Sequence, residues 1–143
     1  MKEGMKYRLR MAVFIFITGC AIHKQATNLP DGYTKTSSGL QYKILQKGTG
    51  DTAKAGQEVL IFETTTYLNG TVLYSNEHTT SPVKVLLGGN QATEAVDEGI
   101  RGMQVGEIRQ LIAPHYLVKR KSYPPNVSPD SALTIKIILH KIL

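Results

Sequence analysis

The sequence predicts an α+β domain in which an antiparallel sheet packs on one short helix. Three observations carry this. Several runs rich in β-branched and aromatic residues are separated by glycine and asparagine turns. A single stretch has helical apolar spacing, and it is too short to be stable without a sheet to cover it. The closing run, Ala132 to Ile142, alternates Leu133, Ile135, Ile137 and Leu139 against Thr134, Lys136, Ile138 and His140. The 143 residues suffice for one globular domain with a buried core.

The chain begins with a different kind of segment. Lys2, Lys6, Arg8 and Arg10, offset only by Glu3, precede an apolar run from Met11 to Ile17, and Thr18-Gly19-Cys20 follows. A basic stretch, a short apolar stretch and small residues before a cysteine predict a secretory signal over residues 1–19. The apolar run is too short to cross about 30 Å of hydrocarbon as a helix. The I-T-G-C segment resembles a bacterial lipobox, in which the cysteine is lipidated and becomes the first mature residue. That resemblance implies lipid attachment at Cys20 and a chain exported to the bacterial cell envelope and held at a membrane; the alternative is a buried strand ending in a structural cysteine. One cysteine excludes an internal disulfide framework and a cysteine-based zinc cluster. The formal charge of +6 falls to about +3 once the signal is removed, so no nucleic-acid partner is expected.

Residues 20–38 are polar, rich in turn formers and without periodicity, which predicts a flexible tether between lipid and domain. They contain no heptads, so a monomer is expected. The domain proper is placed at residues 39–143. Strands are predicted over Leu40 to Leu45, closed by Gly48-Thr49-Gly50, and over Glu58 to Leu68. Asn69-Gly70 then turns the chain into Thr71 to Tyr74, a strong local hairpin signal. A further strand covers Val83 to Leu87 and is broken by Gly88-Gly89. Asn90 is placed to cap a helix with Ala92, Ala95, Val96 and Ile100 on its apolar side, stopped by Gly99 and Gly102. Strands over Glu107 to Ala113 and Ala132 to Ile142 flank an irregular loop, Pro114 to Ser131.

The ordered set G-L-Q-Y-K-I-L-Q-K-G-T-G, K-A-G at 54–56, L-N-G at 68–70, L-G-G at 87–89, D-E-G-I-R-G-M-Q-V-G-E at 97–107 and I-A-P at 112–114 resembles an FKBP-type peptidyl-prolyl cis-trans isomerase domain. The similarity runs from Ser38 to Leu143. It implies a twisted antiparallel sheet wrapped around the short helix, and an aromatic-lined hollow that accepts a proline ring.

Carried over by position, that hollow is built here from other residues. Glu63 stands where the family has a tyrosine, and Leu73 and Tyr74 replace a phenylalanine-aspartate pair. Val83 replaces an aromatic wall, Ala92 and Thr93 a valine-isoleucine pair, and Val96 the tryptophan floor. Val118 and Tyr123 stand for a tyrosine and a histidine on the long loop, and Ile135 for a phenylalanine on the last strand. The chain has no tryptophan, and Phe62 is its one phenylalanine outside the signal. Aromatic rings supply rigid apolar area and stacking geometry, so their loss predicts weaker proline binding. Glu63 and Tyr74 are either a carboxylate and phenol sharing a hydrogen bond across the hollow, or a solvated strand residue and a packing one. In the family the residue at Thr93 donates its backbone N–H to the substrate, a donor that survives any substitution except proline.

Two readings of function stay open. One is an isomerase and folding helper for exported proteins, weakly active, working on proline-containing polypeptides. The other is an inactive FKBP-like module that binds an envelope protein partner. Lys119-Arg120-Lys121 is either a basic tip suited to acidic partners and lipid head groups or a solvated loop. His23, His78, His115 and His140 show no ligand spacing, and no phosphate-binding or nucleophile motif occurs, so neither metal nor cofactor is expected.

Overall fold

The computed structural model describes residues 29–143. The predicted signal, Cys20 and the start of the tether lie outside the described residues. The elements are β1 (Thr34–Lys35), β2 (Gln41–Gln46), β3 (Glu58–Tyr67), β4 (Val72–Ser75), β5 (Val83–Leu86), α1 (Glu94–Ile100), β6 (Ile108–Ala113), a 3-10 turn (His115–Leu117) and β7 (Leu133–Ile142). All seven strands form one antiparallel sheet in the order β1-β2-β6-β7-β3-β4, with β5 also paired to β3.

The long strands lie at the centre because they carry the alternation. In β7, Leu133, Ile135, Ile137 and Leu139 are all buried, while Thr134, Lys136 and Ile138 are only half-covered. Val59 and Ile61 of β3 and Leu111 of β6 join them in a single core, onto which α1 turns Ala95, Val96 and Ile100. The helix comes close because Gly99 faces β6, where a side-chain carbon would overlap the Leu111 side chain. Beneath its C-terminal end, Arg109 donates to Glu107 Oε1 at 2.7 Å and to the Gly99 carbonyl at 3.0 Å, and stacks 4.9 Å from the Tyr42 ring centre. Glu107 Oε2 accepts the Gln104 N–H at 3.0 Å. This buried pair fastens the helix to the sheet.

Three local expectations are corrected. The later part of the segment read as a tether is built into the fold: β1 pairs with β2, Ser38 donates to Glu98 of α1 at 2.7 Å, and the Tyr116 hydroxyl donates to the Ser38 carbonyl at 3.0 Å. Two-residue strands carry no periodicity from which to read them. Asn90 is not the helix cap; it takes a left-handed φ of 56° in the preceding turn, and Thr93 occupies the cap position without a side-chain capping bond. Gly99 does not stop the helix: it lies inside α1, which ends at Ile100, and Gly102, with a φ of 80°, follows the end. The hairpin expected at Asn69-Gly70 forms, with Gly70 at a positive φ of 89°. The turn closes through Gly70 N–H to the Tyr67 carbonyl at 3.0 Å and Tyr67 N–H to the Thr71 carbonyl at 2.9 Å, a three-residue loop with a bulge.

Strands β4 and β5 lie end to end along β3, which pairs with β5 through Glu58–Ile61 and with β4 through Thr64–Thr66. Asn76 fills the break between them. Its side chain accepts the Glu63 N–H at 2.7 Å and donates to the Ser81 carbonyl at 3.0 Å, while its own N–H reaches the Glu63 carbonyl at 3.0 Å. Glu63, whose backbone Asn76 holds at this break, reaches into the cavity between β3, β4 and β5.

Candidate functional site

A cavity of about 700 Å³ opens between β3, β4, β5, the start of α1 and the long loop. Its floor is apolar, made by Val85, Val96 and Leu133, all nearly inaccessible to solvent. Leu73, Tyr74, Val83 and Ala92 form the walls, and Thr93 sits where the wall meets the helix. Glu63 and Thr65 reach it from β3, two residues apart and therefore on one face. Lys84, Lys119, Arg120 and Lys121 stand at the rim.

Seven of the ten positions named from the sequence thus share one cavity: Glu63, Leu73, Tyr74, Val83, Ala92, Thr93 and Val96. Val118, Tyr123 and Ile135 do not line it. Val118 follows the 3-10 turn and is buried in the core. Ile135 pairs with Thr65 and Leu111 in mid-sheet and is consumed by core packing, a branched aliphatic being shorter than the aromatic it stands for. Tyr123 folds back on its own loop, its hydroxyl accepting the Arg120 N–H at 3.3 Å.

Glu63 and Tyr74 face the same hollow but do not bond to each other. Glu63 Oε1 instead accepts the Thr65 hydroxyl at 2.6 Å, and Tyr74 is 46% exposed. Burial pushes the Glu63 carboxyl above the ordinary carboxylate range, against the opposing effects of the Thr65 hydrogen bond and the charge of Arg120. The carboxyl is a polar group at the edge of an apolar floor. Thr93 adds two more. Its hydroxyl oxygen is buried without a partner, and its backbone N–H has none among the described residues.

The residues missed from the sequence fall into two groups. Thr65, Val85 and Leu133 each lie two positions from a named residue on the same strand, a spacing that is there to be read. Asn126 and Val127 had no such signal, because their place depends on how the long loop folds. Tyr67 fixes it: its hydroxyl donates to the Asn126 carbonyl at 2.9 Å and accepts the Ser128 N–H at 2.8 Å. Asn126 Nδ2 reaches the Leu73 carbonyl at 3.4 Å. The loop is thereby held over β3 and β4 as one wall of the cavity.

Residues 50–140 match the model of the FKBP-type peptidyl-prolyl cis-trans isomerase family, and this chain belongs to that family and is by family an enzyme. It is 31% identical over 106 residues to the peptidyl-prolyl cis-trans isomerase Fkbp12 of Drosophila melanogaster, covering 73% of this chain and 98% of that one. It is 35% identical over 116 residues to the chloroplastic peptidyl-prolyl cis-trans isomerase FKBP19 of Arabidopsis thaliana, covering 72% of this chain but only 43% of the relative's length. The fold matches the crystal structure of FkpA from Escherichia coli with a TM-score of 0.69 and 23% identity, over 79% of this chain and 52% of that one. An antiparallel sheet with one short helix is the architecture shared with such structures.

Proposed function

We propose that this chain is a weakly active peptidyl-prolyl cis-trans isomerase that assists the folding of exported proteins, acting as a monomer held to the bacterial cell envelope by lipid on Cys20. The observation that carries the catalytic part is the open apolar floor beside the unpartnered Thr93 N–H. Rotation about an X-Pro bond is slow because it destroys amide resonance, which sets a barrier of about 18–20 kcal/mol for an ordinary peptide bond. No acid, base or nucleophile is required. A proline ring seated on Val85, Val96 and Leu133 leaves water, and the Thr93 N–H donates to a substrate carbonyl. Any part of this binding that is stronger for the twisted amide than for the planar one lowers the barrier.

The weakness follows from the lining. Tyr74 is the single aromatic residue of the cavity among the described residues, and it stands on an exposed wall rather than on the floor. The same observation favours a second reading, a non-catalytic module holding a proline-containing envelope partner. Acceleration of a proline-limited refolding reaction by the full chain, lost when Val96→Trp fills the floor, supports the isomerase. Binding of proline peptides without acceleration supports the module.

The anchoring part rests on the I-T-G-C segment. Expression in a bacterium with a labelled fatty acid is expected to label the wild-type chain and to leave Cys20→Ser unlabelled. An unlabelled wild-type chain overturns it.

A further inference from the structure

The basic tip of the long loop is placed where the proposed ligand must pass. Lys119, Arg120 and Lys121 all line the cavity and are all exposed. None forms an ion pair among the described residues, whereas Lys84 across the cavity pairs with Glu58 at 2.9 Å. The loop that carries them is not free to leave, because Tyr67 and Asn126 tie it to β3 and β4. Three cations are therefore kept above an apolar floor. Glu63 is the one acid lining the cavity among the described residues, and it lies deep, beside Thr65. The mouth is positive and the interior carries the carboxyl.

We propose that the cavity selects proline segments with an aspartate or glutamate beside the proline, the ring on the floor and the acid at the rim against Lys119, Arg120 and Lys121. The inference rests on the proline-binding reading above. Glu63 sharpens the selection, since it disfavours an acid that enters the hollow and leaves the rim as its place. Anionic lipid head groups would meet the same cations. A concave mouth over an apolar floor fits a chain that enters it better than a flat surface that cannot.

The test is binding of fluorescently labelled peptides with Glu, Gln or Lys before a single proline to the full chain, read by polarisation. Rim charges act mainly on association and are screened by salt. The Glu peptide is expected to bind about three- to tenfold more tightly than the Lys peptide at low salt, with Gln between them. The ratio is expected to approach one at about 1 M salt, where the screening length is about 3 Å. It is also expected to collapse in the folded triple variant Lys119→Ala, Arg120→Ala, Lys121→Ala. The salt titration of the wild-type chain gives the same answer should the variant not fold. Equal binding of the three peptides, or a ranking unmoved by salt, overturns the inference while leaving proline binding in place. Displacement of equally bound peptides by phosphatidylglycerol vesicles, but not by phosphatidylcholine, assigns the tip to a membrane and also overturns it. Failure of every peptide to bind removes the proline-binding reading and this inference with it.

Discussion

Arg109 is the residue whose removal tests how the helix, and with it the cavity floor, is held. Its guanidinium is nearly inaccessible to solvent, as is the Glu107 carboxylate it pairs with at 2.6 Å. It also caps the Gly99 carbonyl at the end of α1, the helix that presents Thr93 and Val96 to the cavity. Arg109→Met keeps much of the apolar stem but leaves Glu107 charged, buried and unpaired, a change that costs about 3–5 kcal/mol. In a domain of this size the melting temperature should fall by about 10–20 °C. Adding Glu107→Gln removes the stranded charge and retains an acceptor for the Gln104 N–H. The double variant should then recover most of the loss, leaving about 1–2 kcal/mol for the uncapped Gly99 carbonyl and the lost stacking on Tyr42. Urea unfolding of the two single variants and the double variant completes the cycle. A single Arg109→Met loss below about 1 kcal/mol, or a double variant no better than the single, would refute the claim that a paired charge holds this end of the helix.

Other consequences follow from close packing and from the cavity carboxyl. Gly99→Ala places a methyl into the Leu111 side chain and should cost about 1–3 kcal/mol in urea unfolding; a neutral result would mean that α1 stands further from β6 than described. Glu63 is raised above its ordinary value of 4.5 chiefly by burial, so the folded state keeps a proton that the unfolded chain gives up. Stability is therefore lost as pH rises from that ordinary value through the raised one, and is constant beyond. Glu63→Gln should show a stability advantage that is absent at about pH 4 and grows to a plateau towards neutral pH, measured by unfolding at each pH; parallel profiles for the two proteins would contradict the burial of this carboxyl.

The parts of the fold legible in the sequence were those with many residues repeating one instruction. β3 and β7 extend for ten residues each, and their alternation fixes which face is buried. β1 has two residues and no pattern, so the sequence there reads as tether. Asn90 has the composition of a helix cap, but an asparagine also tolerates the left-handed conformation that the turn before the helix requires. In the cavity, positions on strands and at the helix start could be placed because their neighbours fix their direction. Val118 and Tyr123 could not, since the long loop's path depends on one hydroxyl, that of Tyr67, reaching Asn126 and Ser128 from the far end of β3. Ile135 failed for another reason: the position corresponds, but the smaller side chain is buried in the core.

The proposed catalysis depends most directly on the Thr93 N–H beside the apolar floor. Its φ of −66° already suits proline, so Thr93→Pro removes the donor with little demand on its own backbone angle. The decisive measurement is the rate of a proline-limited refolding reaction with the full chain, with Thr93→Pro and with no catalyst. A modest acceleration by the wild-type chain is expected, and Thr93→Pro is expected to abolish it while its melting curve shows a folded domain. Equal acceleration by the two chains would contradict a role for this amide, and no acceleration by the folded wild-type chain would contradict catalysis in this cavity.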